Sequence, residues 1–122
     1  MTPADEPPDE LGNWMTQLRK GLLELCIFNL LAQGELYGYD LVKRLSKVPG
    51  LVISEGTVYP LLSRLRKGGL LETRLVESAS GPARRYYRLS PEGERILRLM
   101  NQYWHDLAAG VDGYIKGERD DA

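Results

Sequence analysis

Ser54-Glu55-Gly56-Thr57-Val58-Tyr59-Pro60-Leu61-Leu62-Ser63-Arg64-Leu65-Arg66-Lys67-Gly68-Gly69, followed by Leu70-Leu71-Glu72-Thr73-Arg74-Leu75-Val76, decides the fold. Val58, Leu61, Leu62 and Leu65 recur at i, i+3, i+4 and i+7, which makes one apolar stripe of a helix. Ser54 offers a side-chain oxygen to cap that helix, Glu55 suits its positive end, and Gly68-Gly69 stops it. The period then changes to two. Leu71, Thr73 and Leu75 alternate with Glu72, Arg74 and Val76, as in a half-buried strand. Pro60 is a local conflict, since it removes a backbone donor six residues past Ser54. Either the helix begins nearer Thr57 or its first turn is distorted.

Outward toward the C-terminus, Glu77 to Pro82 reads as a hairpin tip and Arg84 to Leu89 as the returning strand. Tyr86 and Tyr87 are adjacent and so belong to opposite faces. Ser90-Pro91-Glu92 gives a cap, a proline at the first helical position and an acid in the first turn. A long last helix follows to about Lys116. Outward toward the N-terminus, Gly38 to Lys47 forms a short helix with Leu41, Val42 and Leu45 inside, closed by Pro49-Gly50. Before it, Trp14, Met15, Leu18, Leu22, Leu25 and Phe28 mark a first helix from Asn13 to Gly34. Between Leu22 and Leu31 that helix is apolar nearly all round, so it should be covered on more than one side.

The order is helix, helix, helix, hairpin, helix: mostly α with a small β-hairpin. Two short helices followed at once by a hairpin form a winged helix-turn-helix, here residues 13–89. Residues 90–116 are left as a long C-terminal helix for dimerisation. Residues 1–12, with four acids and three prolines, and 117–122 read as loose tails.

The chain's 122 residues suffice for one core, and 43% hydrophobic with 27% charged residues is ordinary for a soluble domain. Leu22 to Ala32 is too short to span a bilayer and no secretory signal opens the chain, so a cytoplasmic protein is expected. A lone Cys26 and a lone His105 cannot assemble a disulfide or a zinc site, and no nucleophile-elbow or phosphate-binding glycine motif occurs. No cofactor, no metal and no enzymatic activity is therefore expected.

The net charge of -1 conceals a segregation. From Tyr37 to Leu89, ten bases (Lys43, Arg44, Lys47, Arg64, Arg66, Lys67, Arg74, Arg84, Arg85, Arg88) face four acids (Asp40, Glu55, Glu72, Glu77), a surplus of six. Basic charge on a winged helix-turn-helix points to double-stranded DNA. The third helix suits the major groove, with Ser54, Thr57, Tyr59, Ser63 and Arg64 as candidate contacts. Arg84 and Arg85 follow the wing tip and would reach a phosphate or the minor groove. Lys43 would clamp the backbone. Of Tyr37 and Tyr39, which flank Gly38, one belongs to the core and one faces the DNA backbone, with Tyr37 taken as the contact.

Tyr37-Gly38-Tyr39-Asp40, Glu55 to Leu65, and Arg84-Arg85-Tyr86-Tyr87-Arg88-Leu89-Ser90-Pro91-Glu92-Gly93 together resemble the PadR family of transcriptional regulators from about Leu18 to Val111. The single helix after the wing is similar to the shorter subfamily, which implies homodimers built on that helix and the first. The resemblance also implies that proline is tolerated at Pro60. Val58 replaces a commoner leucine, and Ala83 stands where some members carry a base, which would weaken the wing contact.

On the last helix, Ile96, Met100, Tyr103, Leu107 and Tyr114 form one stripe, and Leu97, Trp104, Ala108, Val111 and Ile115 its neighbour. One stripe would pack on the winged domain and the other would lie bare in a monomer, as at a homodimer seam. Trp104 near mid-helix would meet its symmetry mate, and two indoles with a gap between them would hold a small planar aromatic ligand. Some small PadR-like regulators are multidrug sensors, and Trp104 resembles the aromatic they use. The plainer role is filling the dimer core. The leading expectation is a DNA-binding regulator, a repressor released by such an effector. The alternative is a winged-helix dimeric protein-interaction module that does not read DNA.

Overall fold

Val58, Leu62 and Leu65 are buried, and the helix they define closes a core with Ile27, Phe28, Leu41 and Leu45. Leu61 is half-buried at the edge of this core. A computed structural model describes residues 8–118. Its elements are α1 (Asp9–Ala32), β1 (Leu36–Tyr37), α2 (Gly38–Leu45), α3 (Glu55–Lys67), β2 (Leu71–Ser78), β3 (Gly81–Leu89) and α4 (Pro91–Ile115).

α3 runs unbroken through Pro60 and begins at Glu55, not nearer Thr57. The carbonyl of Ser54 accepts from both Thr57 N (3.1 Å) and Val58 N (3.0 Å). The bond that Pro60 cannot make would end on Gly56, and both residues are exposed, so water can take the spare carbonyl. Ser54 occupies the N-cap position, but its hydroxyl meets that of Thr57 at 2.9 Å instead of a backbone amide.

The hairpin has a third strand. β1 pairs antiparallel with β3, Leu36 opposite Tyr87 and Tyr37 opposite Tyr86, giving the order β1-β3-β2. Two residues are too few to show alternation, which is why the sequence reading stops at a hairpin. β2 and β3 also run further than expected, to Ser78 and from Gly81, with a bulge between Val76 and Ser78. Leu71, Tyr87 and Leu89 line the buried side, whereas Leu75 is 62% exposed because the wing projects past the core.

α1 begins at Asp9, four residues before Asn13, so residues 9–12 are not a loose tail. The acids that suggested a tail, Asp9 and Glu10, fall in the first turn, where the helix dipole favours them. Residues 1–7 and 119–122 of the two expected tails lie outside the described residues. At the other end, Gly117 (φ 78°) follows α4, and the amide of Glu118 returns to Gly113 O at 2.9 Å. α2 ends at Leu45 and Lys47 lies in the turn beyond it.

Ser90 ties the winged module to α4. Its hydroxyl accepts from Gly93 N (3.0 Å) and donates to Gly69 O (2.6 Å), while its amide donates to Leu70 O (3.0 Å). Gly93 lies so near that turn that a Cβ on it would stand 2.1 Å from Leu70 O. Further along, Asn29 of α1 and Asn101 of α4 exchange amide hydrogen bonds of 2.9 and 3.0 Å. α4 departs from expectation beyond that clamp. Ile96, Leu97 and Met100 pack on the domain, but Tyr103, Trp104, Leu107, Val111, Tyr114 and Ile115 are all exposed, so both stripes are bare there, not one.

Candidate nucleic-acid interface

With Val58, Leu62 and Leu65 turned inward, 100° per residue places Gly56, Pro60, Ser63 and Lys67 on the opposite side of α3. All are exposed except Ser63, which is half-buried. Thr57 and Arg64 lie along one flank of this strip, and Tyr59 and Arg66 along the other. The expected contacts are thus divided between two flanks. Ser54 and Thr57 meet at the helix start, joined through their hydroxyls.

Tyr59 packs where α2 begins. A Cβ on Gly38 would stand 3.2 Å from Tyr59 Cε1 and 3.3 Å from Tyr87 Cε2, so the glycine between Tyr37 and Tyr39 is the space that these two rings close over. Burial, and then the nearby Glu55 carboxylate, push the Tyr59 phenol above its usual pKa. Its hydroxyl therefore keeps its proton at neutral pH and remains available as a donor. Tyr59 is 37% exposed, enough for that donor to reach solvent.

Tyr37 is half-buried and Tyr39 exposed, so neither enters the core, contrary to the expectation that one of them would. Period-2 register puts Tyr37, Tyr86, Arg74, Arg84 and Arg88 on the outer sheet face. There Tyr37 and Tyr86 have centroids 5.8 Å apart, and Tyr37 and Tyr39 6.4 Å. Cations sit over each ring: Arg84 over Tyr37 at 5.0 Å, Lys43 over Tyr39 and Arg74 over Tyr86, each at 5.5 Å. A guanidinium or ammonium on an aromatic face is held without losing its charge. Three sequence candidates, Tyr37, Lys43 and Arg84, meet here. Tyr39 and Tyr86 complete the ladder; the sequence draws attention to both through Tyr-Gly-Tyr and Tyr-Tyr, but neither is among the candidate contacts read from it.

Arg85 points to the other sheet face, where its Nη1 donates to Thr73 Oγ1 at 2.9 Å. Arg64 turns away from the strip and pairs with Glu24 of α1. Arg74 pairs with Glu35 at 2.6 Å and Arg88 with Glu72 at 2.9 Å. The Arg74 hydrogen bonds hold the Glu35 carboxyl below its usual range. Among the described residues, Lys43, Arg44, Lys47, Arg66, Lys67, Arg84 and Arg85 have no ion pair. The segment's positive surplus is carried by these.

A second feature lies along α1 and α4. Leu18, Gly21, Leu22 and Leu25 of α1, with Ile96, Leu99, Met100, Tyr103, Trp104 and Leu107 of α4, line a groove of about 610 Å³. Trp104 is 41% exposed at its edge. Burial pushes the Cys26 thiol up, which leaves it a poor nucleophile. No group of His, Cys, Asp and Glu that could hold a metal ion occurs among the described residues, and none of their helices is long and apolar enough to cross a membrane.

Residues 27–99 match the model of the transcriptional regulator PadR-like family. The chain is 37% identical over 101 residues to the transcriptional regulator Rv3488 of Mycobacterium tuberculosis, covering 81% of this chain and 91% of that one. A PadR-like transcriptional regulator from Bacillus cereus superposes with a TM-score of 0.76 at 39% identity, covering 84% and 99% of the two chains. One from Eggerthella lenta gives 0.72 at 37% identity, covering 88% and 93%.

Proposed function

The chain belongs to the PadR-like family of transcriptional regulators, which are not enzymes, and from this we propose that it represses transcription in the cytoplasm by binding double-stranded operator DNA as a homodimer. The observation that carries the proposal is the exposed strip of α3, whose Lys67 and flanking Arg66 are neutralised by no carboxylate among the described residues, as are Lys43 and Arg84 beside it. The strip enters the major groove, where Thr57 and Ser63 meet base edges and the start of α3 meets a phosphate. Tyr59 donates its hydroxyl to the backbone. Lys43, Tyr37 and Arg84 hold one side of the groove, and Arg85 reaches from the other sheet face. Two such modules around a two-fold axis read half-sites roughly 34–36 Å apart.

The bare face of α1 and α4 joins the two copies, and the groove beside Trp104 takes a small planar aromatic effector. Its 610 Å³ lies within the range of roughly 300–1,000 Å³ typical of ligand sites. Such a ligand releases DNA only by favouring one relative placement of the two winged modules.

Gel-shift titration at two salt concentrations tests the DNA reading, using duplexes selected from the host genome. A steep fall of affinity with salt is expected, because phosphate neutralisation releases counterions. Absent or salt-independent binding rejects it in favour of a protein-interaction module. Trp104 fluorescence tests the effector separately: no quenching by a planar aromatic dye at saturation removes the ligand site.

A further inference from the structure

We propose that Glu24 is a positioning residue for DNA reading, and that Arg64 acts on α1 through it instead of contacting bases. The inference rests on the DNA-binding reading above and gives Arg64, expected from the sequence to contact DNA, a different part in it. Arg64 lies about 14 Å along the helix axis from Glu55, whereas the N-terminal part of a recognition helix carries its base contacts. Its guanidinium turns off the exposed strip to the Glu24 carboxylate.

Glu24 is well placed to fix it. It stands one turn before the fully buried Phe28, on the side of α1 that runs into the core, and its side chain is 31% exposed against 65% for Arg64. Among the described residues this is the one side-chain hydrogen bond or ion pair between α1 and α3. So exposed a pair adds little to fold stability. Val58, Leu62 and Leu65 fix the roll of α3; what the pair does is hold the C-terminal half of that helix to α1, and so trim how its exposed side chains meet the groove. The same stretch of α1 carries Gly21, Leu22 and Leu25, which line the groove at Trp104. A shift of α1 against α4 is thereby carried to the reading helix through this pair as well as through the core that the two helices share.

Exchanging the charges separates positioning from contact. Arg64→Glu, Glu24→Arg and the double variant are titrated with a duplex selected by the wild-type chain from a random pool, and with an unrelated duplex of equal length. Each single variant should lose about tenfold in preference for the selected duplex, a loss of the size of a partly misread site. The double variant should recover preference to within about threefold, with an unchanged salt slope. If Arg64 contacts DNA, the double variant keeps a glutamate facing it and stays as impaired as Arg64→Glu. That result overturns the proposal, as does a fall of about one in the salt slope for Arg64→Gln. Glu24→Gln, which adds no new charge, repeats the test should the reversed charges fail to fold; an unaltered preference at an unaltered melting temperature also overturns it. Wild-type binding in the same gels reports on the DNA reading itself, so the two failures are distinct.

Discussion

Among the described residues, the exposed surface of the winged module and that of α1 and α4 are made of opposite materials. The winged module shows hydroxyls, tyrosines and cations, each held by a neighbour: Ser54 by Thr57, Arg85 by Thr73, Lys43 and Arg84 by aromatic rings. The α1–α4 face shows Trp14 (60% exposed), Tyr103 (72%), Val111 (51%) and Ile115 (77%) with little polar relief. A polar face of this kind is at home in water and ready for a charged partner. An apolar face of that extent is stable only when covered. The two surfaces therefore suit two different tasks, and in the proposed reading the polar one meets DNA while the apolar one joins two copies.

The comparison breaks most sharply if the apolar face matters only locally. Val111→Glu places a carboxylate on that face, far from the core. It should give a monomer by sedimentation, and the loss of linked half-sites should weaken operator binding by about 10²-fold or more. A dimeric Val111→Glu with wild-type affinity would show that the two surfaces are independent. Next comes the junction between them. A methyl group at Gly93 would meet Leu70 O, so Gly93→Ala should cost about 2–4 kcal/mol in urea unfolding. An unfolding midpoint equal to wild type would mean that α4 can shift freely on the wing.

How much of this contrast was legible in the sequence follows from how local each signal is. The stripe of Val58, Leu62 and Leu65 and the change of period at Leu71 are repeated patterns, and α3 and β2 lie where those patterns put them. β1 has two residues and owes its existence to β3, fifty positions away. Nothing in Leu36-Tyr37 alone could reveal that pairing. The basic surplus was countable, but which cations remain unpaired depends on Glu24 and Glu35, which fold in from α1 and the turn after it. Arg64 is the clearest case, because its place on α3 was readable and its partner on α1 was not. α1 itself was legible except at its start, where two acids, Asp9 and Glu10, and Gly12 made residues 9–12 look like part of a tail.

Within the polar surface, paired and unpaired cations should behave differently. Arg84→Ala removes an unpaired charge from the ring ladder. It should weaken binding to every duplex alike, by about three- to tenfold, with the salt slope falling by about one. Arg74 shares that ladder but is neutralised by Glu35, so Arg74→Ala should leave the salt slope nearly unchanged.

The Glu35–Arg74 pair also gives the smallest effect, in the pH dependence of stability. Hydrogen bonding from Arg74 lowers the folded-state pKa of Glu35, so folding favours the ionised form. The contribution is present above the unfolded value, about 4.3 for a glutamate, and disappears as pH falls through the lower folded value. Both side chains are partly exposed, and salt screens them. Glu35→Gln should therefore unfold slightly more easily than wild type at pH 7, and the gap should close as both are taken below pH of about 4. The closure identifies the charge on Glu35, and not its packing, as what holds Arg74 against the turn after α1. A gap that stayed constant across that range would place Arg74 among the uncommitted cations, and the division between paired and unpaired charge on the wing would lose its physical basis.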